Sequence, residues 1–311
     1  VSKREKRERG AALIIVLGLV ALVGAWASSA AFEDMVSLRR AENMQDAIRA
    51  QQGSRSALAL AVKALRQDAA RTSIDEPGEL WASPVPPFTI DQGSVALVIT
   101  DANRRLNLND LVNDQGKLQM DVYGRLRRLF VRTGLDAGLV EALADWMDAD
   151  DRPVGASGGE DSSYIDKPYR VKNGRLDRWS ELAMIHGFTR DVMNKLATVV
   201  VVRPVPQGDM TPINLNTADV NVLRAVFPSM KPADADALIA GRPYQSTSEA
   251  LANRSWSTGV NPADLSVTSD LFIVRTDARF GRAQLREEYM LMRQANMLTL
   301  LSRERLSWGD M

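Results

Sequence analysis

Residues 141–166, EALADWMDADDRPVGASGGEDSSYID, carry eight acidic side chains and one basic one, Arg152. A run that reads as a helix to about Trp146 leads into Asp148, Asp150 and Asp151. A loop marked by Pro153, Gly155, Gly158 and Gly159 follows, and then Glu160 and Asp161. Carboxylates converging from a helix end and a loop, with backbone carbonyls between them, form the donor set of a hard cation such as Ca²⁺. A solvated acidic loop has the same composition, and spacing leaves both readings open. An EF-hand is excluded, because counting from Asp148 puts Pro153 at the glycine position and Gly159 at the glutamate position. Paired carboxylates also suit acid–base hydrolysis, but the chain has neither a Gly-rich phosphate loop nor an H-E-x-x-H pair to accompany them. The single histidine, His186, precedes Gly187, where a helix should stop, and reads as a partly exposed residue at a helix C-terminus.

Composition narrows the classes further. The 311 residues include 39 basic and 39 acidic side chains and no cysteine. Disulfides, thiolate nucleophiles and cysteine-held metals are therefore excluded. Hydrophobic content of 45% and charged content of 25% describe a globular chain, and its length favours two or more units. A neutral balance argues against wholesale phosphate binding.

The balance is uneven along the chain. Residues 1–10, VSKREKRERG, hold five basic and two acidic groups, whereas residues 11–32, AALIIVLGLVALVGAWASSAAF, hold none. As a helix, that run reaches roughly 33 Å, enough to cross a bilayer. The basic flank should remain cytoplasmic, leaving residues 33–311 outside. Without residues 1–10 the count is 34 basic against 37 acidic, so the exterior part is mildly acidic. Residues 33–70 continue without proline, with Val36, Ala41, Met44, Ile48, Ala57, Leu58, Ala61, Val62 and Leu65 at helical spacing and Gly53 as a potential bend.

Beyond residue 70, four prolines at 77, 84, 86 and 87 read as a loop, and Ser94–Thr100 as a strand. Leu271–Asp277, a turn at Arg279-Phe280-Gly281, and Ala283–Arg293 read as a hairpin. Between them, residues 107–266 read as short helices, placing a helical insertion inside an α/β unit. Within it, residues 213–251 are laid out as a helix–hairpin–helix: Asn216-Thr217 as cap, one helix to Val226, a turn at Pro228–Pro232, and a second helix ending at Gly241. Such modules bind DNA phosphates on a glycine-rich hairpin, but here Ser229-Met230-Lys231 stands in the glycines' place. Residues 121–151 and 177–202, with turns at Gly134 and Gly187, have a similar layout.

Arg9-Gly10 followed by Ala-Ala-Leu-Ile-Ile-Val-Leu resembles the type IV prepilin processing site. Together with Arg105-Leu-Asn-Leu-Asn109, Leu143-Ala-Asp-Trp-Met-Asp-Ala-Asp150, Gly159-Glu-Asp161, Tyr164, Pro168-Tyr169, Ser180-Glu-Leu182 and Ile213-Asn-Leu-Asn-Thr-Ala218, it makes the chain similar to the K-type minor pseudopilins of bacterial type II secretion systems. The resemblance implies an α+β, type IV pilin-like fold: a long N-terminal helix on a small antiparallel sheet, with a large all-α insertion of helix–hairpin–helix or SAM-like units. It divides the chain into a cleaved leader (1–10), a transmembrane half-helix (11–32), a pilin-like part (33–106 and 267–311) and the insertion (107–266). Cleavage between Gly10 and Ala11 by a prepilin peptidase, with methylation of the new N-terminus, is expected. The chain should then lie in the inner membrane as a single-pass protein, N-terminus cytoplasmic and bulk periplasmic.

The resemblance also implies a structural, non-enzymatic role at the pseudopilus tip. The expected partners are the I- and J-type minor pseudopilins, the major pseudopilin and the inner-membrane assembly platform. It further implies a structural Ca²⁺ held among Asp145, Asp148, Asp150, Glu160 and Asp161, with the Tyr164 carbonyl. At the fifth mature position, where most pilins carry glutamate to pair with the preceding subunit's amine, this chain has Ile15, as suits a subunit with no predecessor. The alternative is a membrane-anchored helix–hairpin–helix DNA-binding protein of a competence-like system.

Overall fold

The computed structural model describes residues 3–204, 210–295 and 297–306, the side chains of residues 3–11 excepted. The expected processing pair, Gly10 and Ala11, thus lies outside the described side chains. The chain forms an α+β structure in which one long helix packs on an antiparallel sheet. Helix α1 spans Lys3–Ala69. No proline precedes Pro77, and Ala, Leu, Arg and Gln dominate the run. It stops where the Arg71 and Thr72 amides turn back onto the Asp68 carbonyl at 2.8 and 3.0 Å. Its first part is long and apolar enough to cross a membrane, with a mean hydropathy of 2.3 over a window of which nothing is buried.

The packed stripe of α1 is shorter than its periodicity predicts. Ala50, Ala57, Ala61 and Leu65 are buried, but Ala41, Met44 and Ile48 are exposed and Val36 only half-buried. Gly53 serves as a contact point: a Cβ there would lie 2.9 Å from both Phe280 Cε2 and Val95 Cγ2. Its missing side chain lets the helix approach the sheet.

Five strands form that sheet: β1 Val85–Ile90, β2 Gly93–Asp101, β7 Leu271–Phe280, β8 Ala283–Gln294 and β9 Met297–Arg305, in the order β1-β2-β7-β8-β9. All neighbours are antiparallel. The β7–β8 hairpin turns at Gly281, whose φ is +52°. Alternation places Val95, Leu97, Phe272, Val274, Ala278, Phe280, Leu285, Tyr289 and Leu291 against α1. One polar cluster interrupts this core. The Ser54 hydroxyl lies 2.6 Å from Glu287 Oε2, 2.6 Å from Thr276 Oγ1 and 2.8 Å from the Tyr289 hydroxyl.

Strand β1 corrects the reading of residues 71–90 as loop. Pro86 and Pro87 sit where the register to β2 slips between Val85 and Phe88, on an outer strand, where a residue without an N–H is tolerated. Strand β9 was likewise not read from the sequence.

The chain leaves the sheet at Ala102 and returns at Leu271, and the Ala102 amide donates to the Leu271 carbonyl at 2.9 Å. The excursion is not purely helical. It contains helices α2 (Met120–Arg132), α3 (Leu139–Met147), α4 (Arg190–Leu196), α5 (Val220–Val226), α6 (Pro232–Ala240) and α7 (Thr247–Leu251). Two parallel strand pairs accompany them: β3 Leu106–Asn107 with β4 Val200–Val201, and β5 Ile213–Asn214 with β6 Leu265–Ser266. The first segment of 177–202 is a 3₁₀ turn, Trp179–Met184. A separate hydrophobic core built on Leu108, Leu126, Leu129, Phe130, Leu143, Trp146, Leu223 and Phe227 holds the excursion together.

Leu106-Asn-Leu-Asn109 and Ile213-Asn-Leu-Asn216 do the same work twice. Asn107 and Asn214 each accept the amide two residues on, at 3.2 and 2.9 Å. Asn109 clamps Leu176 through both N–H and C=O, and Asn216 clamps Tyr244 in the same way. The repeat relates 106 onward to 213 onward.

Candidate metal centre

Helix α3 is buried on nearly every side, including its two acidic residues, Glu141 and Asp145. Asp148 follows as the C-cap in an extended conformation (φ −74°, ψ 168°), which turns the chain away and points the loop back over the helix end. Asp145, in the last turn of α3, and Asp148, which caps it, meet at the helix end. Glu160 arrives on the far end of the loop. One carboxylate oxygen from each of Asp145, Asp148 and Glu160 lies within 4.8 Å of the others, and all three residues are buried.

The loop is shaped around them. Asp145 Oδ1 accepts the Val154 amide at 2.8 Å, and Glu141 Oε2 accepts the Ser157 amide at 2.9 Å. Gly155 has a φ of +69°. A Cβ on Gly158 would fall 2.3 Å from Asp145 Oδ2 and 2.5 Å from the Val154 carbonyl. An aromatic wall closes the other side: Trp146, Tyr164 and Tyr169 have ring centroids 5.5–6.1 Å apart. Trp146 Nε1 donates to Glu181 at 3.0 Å, which fixes the indole.

The electrostatics are unbalanced. Asp145 Oδ2, Asp148 Oδ1 and Glu160 Oε1 are buried without a hydrogen-bond partner. Burial, then the charges of Asp145, Asp150 and Glu160, push Asp148 up to about 7. Burial, then Asp145 and its acidic neighbours, push Glu160 up to about 7. Asp145 is raised by burial, against the amides of Val154 and Gly159. Three converging carboxylates with an unpartnered oxygen each fit a hard divalent cation, whose all-oxygen ligand shells reach 6–8 donors for Ca²⁺.

The remaining expected ligands sit differently. Asp150 is exposed and accepts the Arg152 amide at 2.9 Å. Asp161 is exposed too, accepts the Val171 amide at 3.1 Å and lies 3.7 Å from Arg170. The Tyr164 carbonyl accepts the Lys167 amide at 2.9 Å, while its hydroxyl accepts the His186 amide at 3.0 Å. These three stand around the triad and not in it. Glu141, which braces the loop, was not singled out from the sequence, although its place one turn before Asp145 on the same helix was the available signal.

Catalytic and DNA-binding readings find no support in the geometry. Against the expectation that the chain has no G-x-S-x-G, Gly155-Ala-Ser-Gly-Gly159 spells one, but Ser157 lies exposed on a loop, without the strand-to-helix turn that a nucleophile elbow needs. His186 is exposed and touches Tyr164 only through its backbone. In residues 213–251, Asp219, not Asn216-Thr217, caps α5, accepting the amides of Asn221 and Val222. The N-terminus of α6 is occupied as well: the Lys231 amide donates to Asp234 at 2.9 Å. A carboxylate already sits where a phosphate would bind.

Comparison with known proteins places this arrangement in context. Residues 104–205 and 213–268 match two family models, both described as type II secretion system (T2SS), protein K. The two matched stretches begin within three residues of the two Asn-Leu-Asn repeats. Type II secretion system protein K of Pseudomonas aeruginosa is 34% identical over 248 residues, covering 76% of this chain and 72% of that protein. The protein of the same name from Pectobacterium carotovorum is 28% identical over 325 residues, 96% of each chain. A chain of the crystal structure of the GspK–GspI–GspJ complex of enterotoxigenic Escherichia coli superposes with a TM-score of 0.73 at 26% identity, covering 86% of this chain and 99% of that one.

Proposed function

This chain belongs to the type II secretion system protein K family, and from that premise we propose that it is the minor pseudopilin that caps the tip of a secretion pseudopilus. The family is one of pseudopilins, structural parts of a protein-transport machine and not enzymes. In this role the chain helps initiate assembly and supports export of folded proteins across the outer membrane. Its partners are the I- and J-type minor pseudopilins, as in the solved GspK–GspI–GspJ complex, together with the major pseudopilin and the inner-membrane assembly platform.

The observation that carries this reading is the division of α1. Its N-terminal part is apolar and unburied, with Ile15, Leu17, Trp26 and Phe32 exposed, while residues from Ala50 on pack against the sheet. A helix with one end seated in its own domain and the other bare suits a subunit anchored in a membrane and bundled with neighbouring helices. The chain is processed between Gly10 and Ala11 by prepilin peptidase, methylated there, and held single-pass in the inner membrane with its bulk in the periplasm. Residues 33–106 and 267–311 form the pilin-like part, and 107–266 the insertion of helix–hairpin–helix or SAM-like units. The insertion's bulk and Ile15 both suit a subunit above which none is added. Asp145, Asp148 and Glu160 hold a structural Ca²⁺, with Asp150, Asp161 and Tyr164 nearby.

Co-expression with the I- and J-type pseudopilins and the prepilin peptidase of the same bacterium tests the reading. Native mass spectrometry should give a 1:1:1 complex, and intact mass a chain starting at a methylated Ala11. A chain that remains alone, or one starting near residue 31, overturns it.

A further inference from the structure

A second acidic cluster lies far from α3, where α1 ends. Asp68 belongs to the last turn of α1, Asp75 to the loop after it and Glu79 to the turn that follows. One carboxylate oxygen of each lies within 4.8 Å of the others. We propose that Asp68, Asp75 and Glu79 bind a second divalent cation of the hard, oxygen-preferring class, which ties the end of α1 to the loop and turn that follow it.

Two observations beyond the clustering support this. Asp75 is 1% exposed, and its Oδ1 is buried with no hydrogen-bond partner. Its other oxygen is fully engaged, accepting the Ser269 amide at 2.7 Å and the Arg293 guanidinium. Beside it opens a cavity of about 280 Å³ lined by Thr72, Ser73, Asp75, Ser269 and Arg293. The orphaned carboxylate oxygen lacks the partner that a cation supplies, and the cavity, which Asp68 and Glu79 do not line, brings solvent to the Asp75 edge of the cluster.

Charge selects the ion. Arg293 is the cationic side chain paired within this cluster, with Asp68 at 3.4 Å and with Asp75. Three carboxylates and one guanidinium leave two negative charges, which a divalent ion cancels. Burial, and then Glu79 and Asp75, push Asp68 up to about 7 even with Arg293 beside it. Glu79 is held for the purpose: its oxygens accept the Thr72 hydroxyl at 2.7 Å, the Glu76 amide at 3.1 Å and the Trp81 indole at 2.8 Å. All donors are oxygens, as Ca²⁺ or Mg²⁺ requires.

The Trp81 indole, in contact with Glu79, supplies a probe, because it can sensitise luminescence from Tb³⁺ as a stand-in for Ca²⁺. The experiment uses the full chain in detergent, carrying Asp148→Asn and Glu160→Gln so that the α3 centre holds no ion. Tryptophan-excited Tb³⁺ emission should saturate at one ion per chain and be displaced by Ca²⁺. Asp75→Asn and Asp68→Asn should each weaken binding at least tenfold, and Trp81→Phe should dim the emission per bound ion at saturation. Circular dichroism checks the fold of each variant, and Asp68→Asn, at the helix end, carries the test if Asp75→Asn does not fold. No emission from the parent, or emission that neither substitution reduces, overturns the proposal. The α3 site fails separately: the wild-type chain then takes up one ion, which Asp75→Asn removes and Asp148→Asn does not.

Discussion

Gly158 and Asp145 are in such close register that a Cβ on the glycine would lie 2.3 Å from Asp145 Oδ2. That oxygen is one of the buried atoms without a partner. The loop thus keeps a space beside the carboxylate that even a methyl group fills. Gly158→Ala is expected to displace the loop or the carboxylate, at a cost of about 2 kcal/mol. Calcium should no longer stabilise the variant. Urea unfolding with and without Ca²⁺ checks both effects, and an undiminished calcium increment would show that Asp145 Oδ2 is not a ligand.

Asp148 should behave differently with and without calcium. Asp148→Asn removes repulsion from Asp145 and Glu160, so in chelator the variant should melt higher than the parent. In calcium the order reverses, because the parent gains about 2.7 kcal/mol at a hundredfold excess over Kd and the variant gains almost nothing. Thermal melts in EDTA and in CaCl₂ make the comparison. If Asp148→Asn destabilises equally in both, Asp148 is not a calcium ligand.

How much of this centre was legible follows from chain distance. Asp145 and Asp148 lie three apart at the end of one helical run, and their closeness is readable from that spacing. That Glu160 joins them while Asp150 and Asp161 do not depends on a loop bent by Gly155 and braced by Glu141, which no local pattern encodes. The cluster at Asp68 was missed altogether, since Arg293 and Ser269 lie some two hundred residues away in sequence. In the fold, alternation revealed β2, β7 and β8, whereas the prolines of β1 disguised an edge strand as a loop. The apolar spacing of α1 was real, but spacing cannot say whether the facing partner is the chain's own sheet or another molecule, and Met44 and Ile48 are exposed among the described residues.

Gly53 offers a test of the close approach between α1 and the sheet. In an exposed helix, Gly→Ala gains about 1 kcal/mol from propensity. Here the new Cβ meets Phe280 and Val95 at 2.9 Å, within a packed core. The clash should win, leaving Gly53→Ala destabilised by about 1 kcal/mol and Gly53→Leu by more than 3 kcal/mol. Chemical denaturation measures both, and a stabilised Gly53→Ala would mean that the helix can shift freely on the sheet.

Two sets of carboxylates give the ion-free protein a stability optimum in mildly acidic solution, with opposite signs on either side. Asp148 and Glu160 are both raised to about 7. Between about pH 4 and pH 7 the native state therefore keeps protons that the unfolded chain has released, and stability falls as pH rises. Glu287 acts the other way. Burial by itself would raise it, but hydrogen bonds from Ser54, Tyr289 and Arg303 hold it below its usual 4.5. Its contribution is present above that value and is lost as pH falls toward the lower native one. Ser54→Ala, which removes one of these donors, should cost about 2 kcal/mol at neutral pH and move the acid limb of the stability curve upward. It should leave the neutral limb where it is, and saturating calcium should flatten only the neutral limb. Melting temperatures across pH 3.5–8, in chelator and in calcium, separate the two. An acid limb that Ser54→Ala does not move would mean that Tyr289 and Arg303 suffice to hold the Glu287 charge.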